Sequence, residues 1–230
     1  MFGWLFRRNP AYRVISDAGL VRADNQDSYF ADRSRRIFCV ADGMGGIGGG
    51  ALASAILCGE VSKAKVAGLT LEAAAGVVDA AISSANAKIV ECARRSGYNG
   101  MGTTAAVLLF DPRNPSRAAI GYAGDSRVYR RRGVKFKQLT HDHRKSSYSH
   151  ILTRAVGMGG SFSTDWVQAT VKKGDTWVVC TDGVHDMLPD ATLNGILSRG
   201  GTPEEMVARI DAAVRRAGAR DNYTVIVVTV

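Results

Sequence analysis

Four short segments set an aspartate beside glycine, asparagine or glutamine: Asn25-Gln26-Asp27, Ala41-Asp42-Gly43, Thr181-Asp182-Gly183 and Asp221-Asn222. Two of them close apolar runs, Ile37–Val40 and Trp177–Cys180. A carboxylate in such a place is costly unless something positive neutralises it. Divalent cations would do so, and oxygen ligands of this kind suit magnesium or manganese rather than zinc, which prefers histidine or cysteine. These residues predict a metal-dependent hydrolase whose acids come together only on folding.

Other chemistry-bearing residues carry weaker signals. His141-Asp142-His143 could bind a metal, but no further soft ligands stand nearby, so a polar loop is the simpler reading. The run Asp42-Gly43-Met44-Gly45-Gly46-Ile47-Gly48-Gly49-Gly50 imitates a phosphate-cradling loop, yet no Lys-Ser/Thr pair closes it. Close backbone approach is the better reason for its glycines, with the Gly43 carbonyl available to a metal. Arg22 lies five residues before Asp27, and its guanidinium fork would match two phosphate oxygens. Cys39, Cys58, Cys92 and Cys180 are widely spaced, form no CxxC pair and read as buried reduced thiols.

The elements that must position these groups follow from periodicity. Strands are predicted near Tyr12–Ser16, Ile37–Val40, Thr103–Phe110, Ala118–Tyr122, Arg127–Arg130, Val134–Gln138, Trp177–Cys180 and Thr224–Val230. Helices are predicted at about Gly48–Lys65, Leu71–Ser96, Asp190–Ser198 and Pro203–Ala217. Thr202, Pro203 and Glu204-Glu205 make a good helix start. Many strands are joined by short turns, and helices do not alternate regularly with them, which argues for antiparallel sheets covered by helices. Asp111–Ser116 and Arg144–Ser149 read as low-order segments, and residues 1–10 as a flexible tip before a single catalytic domain at 11–230.

The bulk properties narrow the setting. A chain of 230 residues, 46% hydrophobic, supports one sizeable core. No apolar stretch approaches the roughly 18 to 20 residues a bilayer requires, and Arg7-Arg8 follow the apolar start instead of preceding it, the wrong order for a secretory signal. Together with the thiols this predicts a cytoplasmic protein. The net charge of +9 is densest at Arg130-Arg131-Arg132, Lys135 and Lys137, where Arg132-Gly133 looks like a hairpin tip. No stacking-aromatic pattern or zinc-finger signature accompanies it, so no nucleic-acid partner is expected.

Taken in order, eight segments resemble the type 2C serine/threonine protein phosphatases, the metal-dependent protein phosphatase family. They are Ser16–Asp27, Val40–Gly46, Met101–Thr104, Gly124–Arg127, Leu139–His143, Leu152–Gly157, Cys180–Gly183 and Asp221–Thr224. The resemblance implies an α+β fold, a four-layer α/β/β/α sandwich of two central antiparallel sheets flanked by helical pairs. It implies a two-metal centre holding manganese or magnesium: Asp42 bridging both ions, the Gly43 carbonyl on one, Asp182 and Asp221 on the other. Asp125 would join Asp182 at the additional, third metal site of bacterial-type members, and Arg22 would hold the substrate phosphate. Arg22, Asp42 and Asp182 are thus the expected catalytic residues. The implied reaction is direct attack of a metal-bridging water on phosphoserine or phosphothreonine, without a phosphoenzyme. The implied partners are phosphorylated proteins and a bacterial Ser/Thr kinase that the enzyme, a monomer, opposes.

Three departures from the family stand out. Gln26 replaces a glutamate that contributes to metal binding in some members, leaving Asp27 to carry that load directly or through a metal-bound water. Met44 stands where animal-type members have a histidine proposed to protonate the leaving group. Only eight residues separate His143 from Leu152, where a much longer mobile flap is usual, and Arg144 replaces the serine common after the Asp-His pair. A shortened flap predicts a more open cleft, or a small basic lid at Lys145–His150. The competing readings are a silent module that binds phosphorylated partners and a basic nucleic-acid-binding protein.

Overall fold

The computed structural model describes residues 10–98, 100–145, 148–159 and 162–230. The expected N-terminal tip therefore lies outside the described residues except for Pro10. In chain order the elements are β1 (Ala11–Asp17), β2 (Asp27–Asp32), β3 (Ile37–Met44), α1 (Gly46–Val61), α2 (Leu71–Ser96), β4 (Gly102–Thr103), β5 (Ala105–Phe110), β6 (Arg117–Ala123), β7 (Arg127–Arg132), β8 (Lys135–Gln138), β9 (Arg144–Lys145), β10 (Tyr148–Leu152), β11 (Asp165–Thr170), β12 (Thr176–Cys180), α3 (Asp182–His185), α4 (Asp190–Ser198), α5 (Pro203–Arg216) and β13 (Tyr223–Thr229).

All strand pairing is antiparallel. One sheet runs β1-β13-β12-β7-β8; the other runs β11-β6-β5-β3-β2 with β4 added beside β3; β9 and β10 form a separate hairpin. The central strands are apolar on both faces because both faces are buried. In β3, Ile37, Cys39 and Ala41 face α1 and α2, while Phe38 and Val40 face the other sheet. In β13, Tyr223, Val225 and Val227 pack under α4 and α5, while Ile226 and Val228 point into the space between the sheets. Three apolar layers result, one between the sheets and one under each helical pair, which is the four-layer sandwich expected.

The helices follow from their sequences. Along α2 the residues Leu71, Ala74, Val78, Ile82, Ala85 and Ile89 recur every three or four positions and are all buried. The Thr70 hydroxyl accepts from the Ala73 N–H at its start. The predicted start of α5 carries a full capping box, with Thr202 and Glu205 exchanging side-chain and backbone bonds around Pro203.

The differences from expectation lie at the sheet edges. Strands β2 and β11 border the six-stranded sheet and mix Asp, Ser, Gln and Thr with apolar residues, so neither stands out as an apolar run. Helix α1 begins two residues earlier than predicted and ends at Val61. The Asp111–Ser116 segment is no low-order stretch: the buried Asp111 carboxylate accepts from the N–H groups of Arg113 and Asn114. The Arg144–Ser149 segment, likewise expected to be of low order, falls largely in the hairpin of β9 (Arg144–Lys145) with β10 (Tyr148–Leu152), while 146 and 147 lie outside the described residues.

Candidate active site

One end of the sandwich gathers the expected acids. Asp27 opens β2 and pairs in register with Asp42 near the end of β3. Asp125 lies in the turn between β6 and β7, Asp182 begins α3 two residues after the end of β12, and Asp221 stands two residues before the start of β13. Around them opens a cleft of about 700 Å³ lined by Arg22, Asp42, Gly43, Asp125, Asp182 and Asp221, together with Gln26, Met44, Arg144 and Asn222. Asp27 backs this cleft and does not line it.

Local backbone packing explains the glycines that follow two of the acids. A Cβ at Gly43 would stand 2.1 Å from the Gly50 carbonyl oxygen, and one at Gly183 would stand 1.9 Å from the Asn222 carbonyl oxygen. Any side chain there would push the neighbouring segment, and its aspartate, out of place. The backbone of Asp42 is pinned as well. Its N–H donates to Thr104 Oγ1 at 2.9 Å, and its carbonyl accepts from the Thr103 hydroxyl at 2.9 Å and the Thr104 N–H at 2.8 Å.

Asp27 ties the two sheets together. Its Oδ2 accepts from Thr181 Oγ1 at 2.8 Å and Thr224 Oγ1 at 2.7 Å, both on the opposite sheet's strand ends. Its Oδ1 is buried with no hydrogen-bond partner. Burial, opposed by those two hydroxyls and reinforced by the charges of Asp182 and Asp221, pushes the Asp27 carboxyl up to about 7. Burial and then the charges of Asp27 and Asp182 raise Asp42 well above the usual carboxylate range. Asp182 is raised by burial and then by Asp125. Asp27 and Asp42, held against Asp182 and one of them with an unpartnered buried oxygen, meet no cation among the described residues.

That deficit is the test of fit for the implied cations, and the donor set meets it. The cleft offers carboxylates and backbone carbonyls with no histidine or cysteine among its lining residues, a hard-cation environment. Among the described residues no three His, Cys, Asp or Glu side chains form a closed cluster at metal-ligand spacing. The acids instead stand around an open cleft, as suits magnesium-like ions that keep several waters.

Two arginines reach the acids. Arg22 Nη2 donates to Asp221 Oδ2 at 2.9 Å, with the Arg22 side chain 57% exposed at the cleft rim. That bond and the Asp221 charge raise the guanidinium's pKa. Arg144, from β9, donates through Nε to Asp125 Oδ2 and through Nη2 to Asp182 Oδ2 at 3.3 Å. His141 and His143 do not converge on the acids. His143 is buried, accepts from the Gly124 N–H at 3.1 Å and meets Asp165 through Nε2, which makes the polar-loop reading of the His-Asp-His segment the right one.

The sequence marks the acids of the cleft but not the residues that support them. Asn222 uses its whole side-chain amide, accepting from the Gln26 N–H at 2.8 Å and donating to the carbonyls of Ala18 and Asp24 at 3.0 and 2.8 Å. It staples the 18–26 loop that carries Arg22. Its neighbour Asp221 was the only signal. Thr181 and Thr224 could have been suspected as hydroxyls at the ends of apolar strands.

The comparisons with known proteins agree with this geometry. Residues 18–218 match the family model described as protein phosphatase 2C. Serine/threonine phosphatase stp of Listeria innocua is 30% identical over 237 residues, 93% of each chain. PppA, a key regulatory component of T6SS in Pseudomonas aeruginosa, superposes with a TM-score of 0.89 at 28% identity, covering 95% of this chain and 97% of that one. The catalytic domain of the serine/threonine protein phosphatase PstP, solved with two manganese ions, superposes with a TM-score of 0.84 at 29% identity, covering 96% and 97%. The chain belongs to the protein phosphatase 2C family. It is a serine/threonine protein phosphatase of the bacterial, metal-dependent kind, a phosphoric monoester hydrolase acting on phosphoproteins.

Proposed function

We propose that phosphoserine and phosphothreonine are hydrolysed in the Asp42–Asp182–Asp221 cleft, with two manganese or magnesium ions held by Asp42, the Gly43 carbonyl, Asp182 and Asp221. The observation that carries this reading is the uncompensated charge of Asp27 and Asp42, raised by burial and by the neighbouring Asp182, together with the orphaned Asp27 Oδ1. When bound, such a pair supplies Lewis acidity toward the phosphoryl oxygens and an acidified water. Asp27, set behind the cleft and paired with Asp42 through the backbone ladder, adds its negative field to the site.

The chain's own residues do the rest. Arg22 stands at the exposed rim, and once Asp221 is engaged by a cation its fork is free to clamp two phosphate oxygens. No cysteine, histidine or serine lines the cleft, and the Thr104 hydroxyl is committed to the Asp42 N–H and Ser126. With the cleft's aspartates taken up as metal ligands and not as nucleophiles, the reaction we propose is direct hydrolysis without a phosphoenzyme. Met44 cannot protonate the leaving group, which leaves that step to solvent.

The setting we propose is a cytoplasmic monomer with a single catalytic domain over 11–230, opposing a bacterial-type Ser/Thr kinase. Among the described residues no helix is long and apolar enough to cross a membrane, and no described cysteine is in a disulfide. Comparing phosphoproteomes with and without the enzyme identifies that kinase's targets. Manganese-dependent phosphate release from a phosphothreonine peptide is the direct test. Supports of metal ligands cost 10- to 100-fold when removed, so Asp182→Asn, which removes a ligand, is expected to cost at least about 100-fold. Unchanged turnover in a folded Asp182→Asn protein eliminates the proposed centre.

A further inference from the structure

One corner of the cleft differs from the rest in already having a cation. Arg144 extends from the short hairpin β9–β10 into the cleft wall, where its side chain is only 15% exposed. It meets three carboxylates from two separate elements. Nε donates to Asp125, Nη2 lies 3.3 Å from Asp182 Oδ2, and Nη2 lies 3.6 Å from Asp186 Oδ2. Burial alone would lower the pKa of this guanidinium. The charges of Asp125, Asp186 and Asp182 outweigh that and raise it.

The acid it faces cannot move aside. The Asp125 carbonyl is within 3.1 Å of His185 Nε2, the preceding Gly124 N–H donates to His143 at 3.1 Å, and the following Ser126 hydroxyl bonds Thr104 at 2.7 Å. Asp125 is itself buried. A fixed carboxylate and a guanidinium that never deprotonates therefore occupy the same pocket corner. A divalent ion could bind Asp125 and Asp182 together only by expelling Arg144 from between them.

Building on the two-ion reading above, we propose that Arg144 is the resident cation of the Asp125–Asp182–Asp186 corner, so that the centre takes two divalent ions and not a third. Arg144 is a positioning residue in this scheme. It holds the carboxylates that border the ions and neutralises the one side of the cleft that the ions do not.

Counting bound manganese in the full, metal-stripped chain tests this without reference to turnover, because free manganese gives a paramagnetic resonance signal that bound manganese lacks. The wild-type protein is expected to bind two ions. Arg144→Ser is expected to bind three, and the double variant Arg144→Ser/Asp125→Asn to return to two. Arg144→Lys, which keeps the charge, is expected to remain at two. In an otherwise wild-type chain, Asp125→Asn is expected to leave the count at two, which serves if Arg144→Ser does not fold. Three ions on the wild type, two on a folded Arg144→Ser, or a lower count in Asp125→Asn overturns the assignment to Arg144 while leaving the two-ion centre standing. Fewer than two ions on a folded wild-type chain overturns both.

Discussion

Glu60 and Asp27 are both acids held against helix α1's surroundings, and the fold treats them in opposite ways. Glu60, on α1, is met by Lys63 and by Lys88 Nζ at 2.7 Å and accepts from the Ser84 hydroxyl at 2.9 Å. Those partners, Lys63 foremost, lower its carboxyl to about 2. Asp27 receives two hydroxyls and no cation, and burial lifts it to about 7. Where an acid serves the joint between α1 and α2, the chain provides the compensating charge itself. At Asp27 and Asp42 it withholds that charge, and the imbalance is what a divalent ion would answer.

Supplying manganese tests the contrast most strongly. Each ion that binds only the folded state adds about 2.7 kcal/mol to stability at a free concentration ~100 times its Kd. Chemical denaturation of metal-stripped protein should show a gain of about 5.4 kcal/mol with manganese, about 2.7 for each of the two ions. Asp27→Asn should shrink that gain while leaving the metal-free protein as stable as wild type or more so, since it removes an uncompensated buried charge and keeps an oxygen for Thr181 and Thr224. A metal-free Asp27→Asn that is markedly less stable would erase the distinction between the two sites.

The second expectation concerns Glu60→Gln, which should cost about 1 kcal/mol with or without manganese, because its lysines are more than half exposed and screened. The two acids also predict opposite pH slopes. The Glu60 contribution is present above its ordinary value of 4.5 and disappears as pH falls toward about 2. In metal-free protein the Asp27 contribution is fully present below 3.8 and lost as pH rises through about 7. Urea midpoints of wild type, Glu60→Gln and Asp27→Asn across this range check both signs; parallel curves would sink the comparison. Least of all, Ser84→Ala should cost about 0.5 kcal/mol, because both lysines stay on the Glu60 carboxylate when the hydroxyl is lost.

What could be read from the chain divides along physical lines. Runs such as Ile37–Val40 and Trp177–Cys180 announce buried strands because apolar burial leaves a mark in composition at each position. The aspartates that end them announce chemistry because a charge there is costly. Strands β2 and β11 were hidden because edge positions tolerate polar residues. Asn222, Thr181 and Thr224 were hidden for another reason: they are ordinary polar residues whose importance lies in partners up to about two hundred positions away. For Thr224 the partner is Asp27, 197 residues earlier. Arg144 was visible as an anomaly, but only the fold shows that it points at Asp125.

Strand β13 is slotted between β1 and β12, pairing Ala11–Asp17 on one side and Thr176–Cys180 on the other, with Asp221 and Asn222 at its leading edge. A chain interrupted before that strand, by stalled synthesis or by a protease, keeps Asp27, Asp42, Asp125 and Asp182 but has a gap through the middle of a sheet and no staple on the Arg22 loop. Such fragments would not dephosphorylate anything. Strand order alone thus predicts that activity arrives only with the last strand, and phosphate release by a chain ending before Asp221 would contradict it.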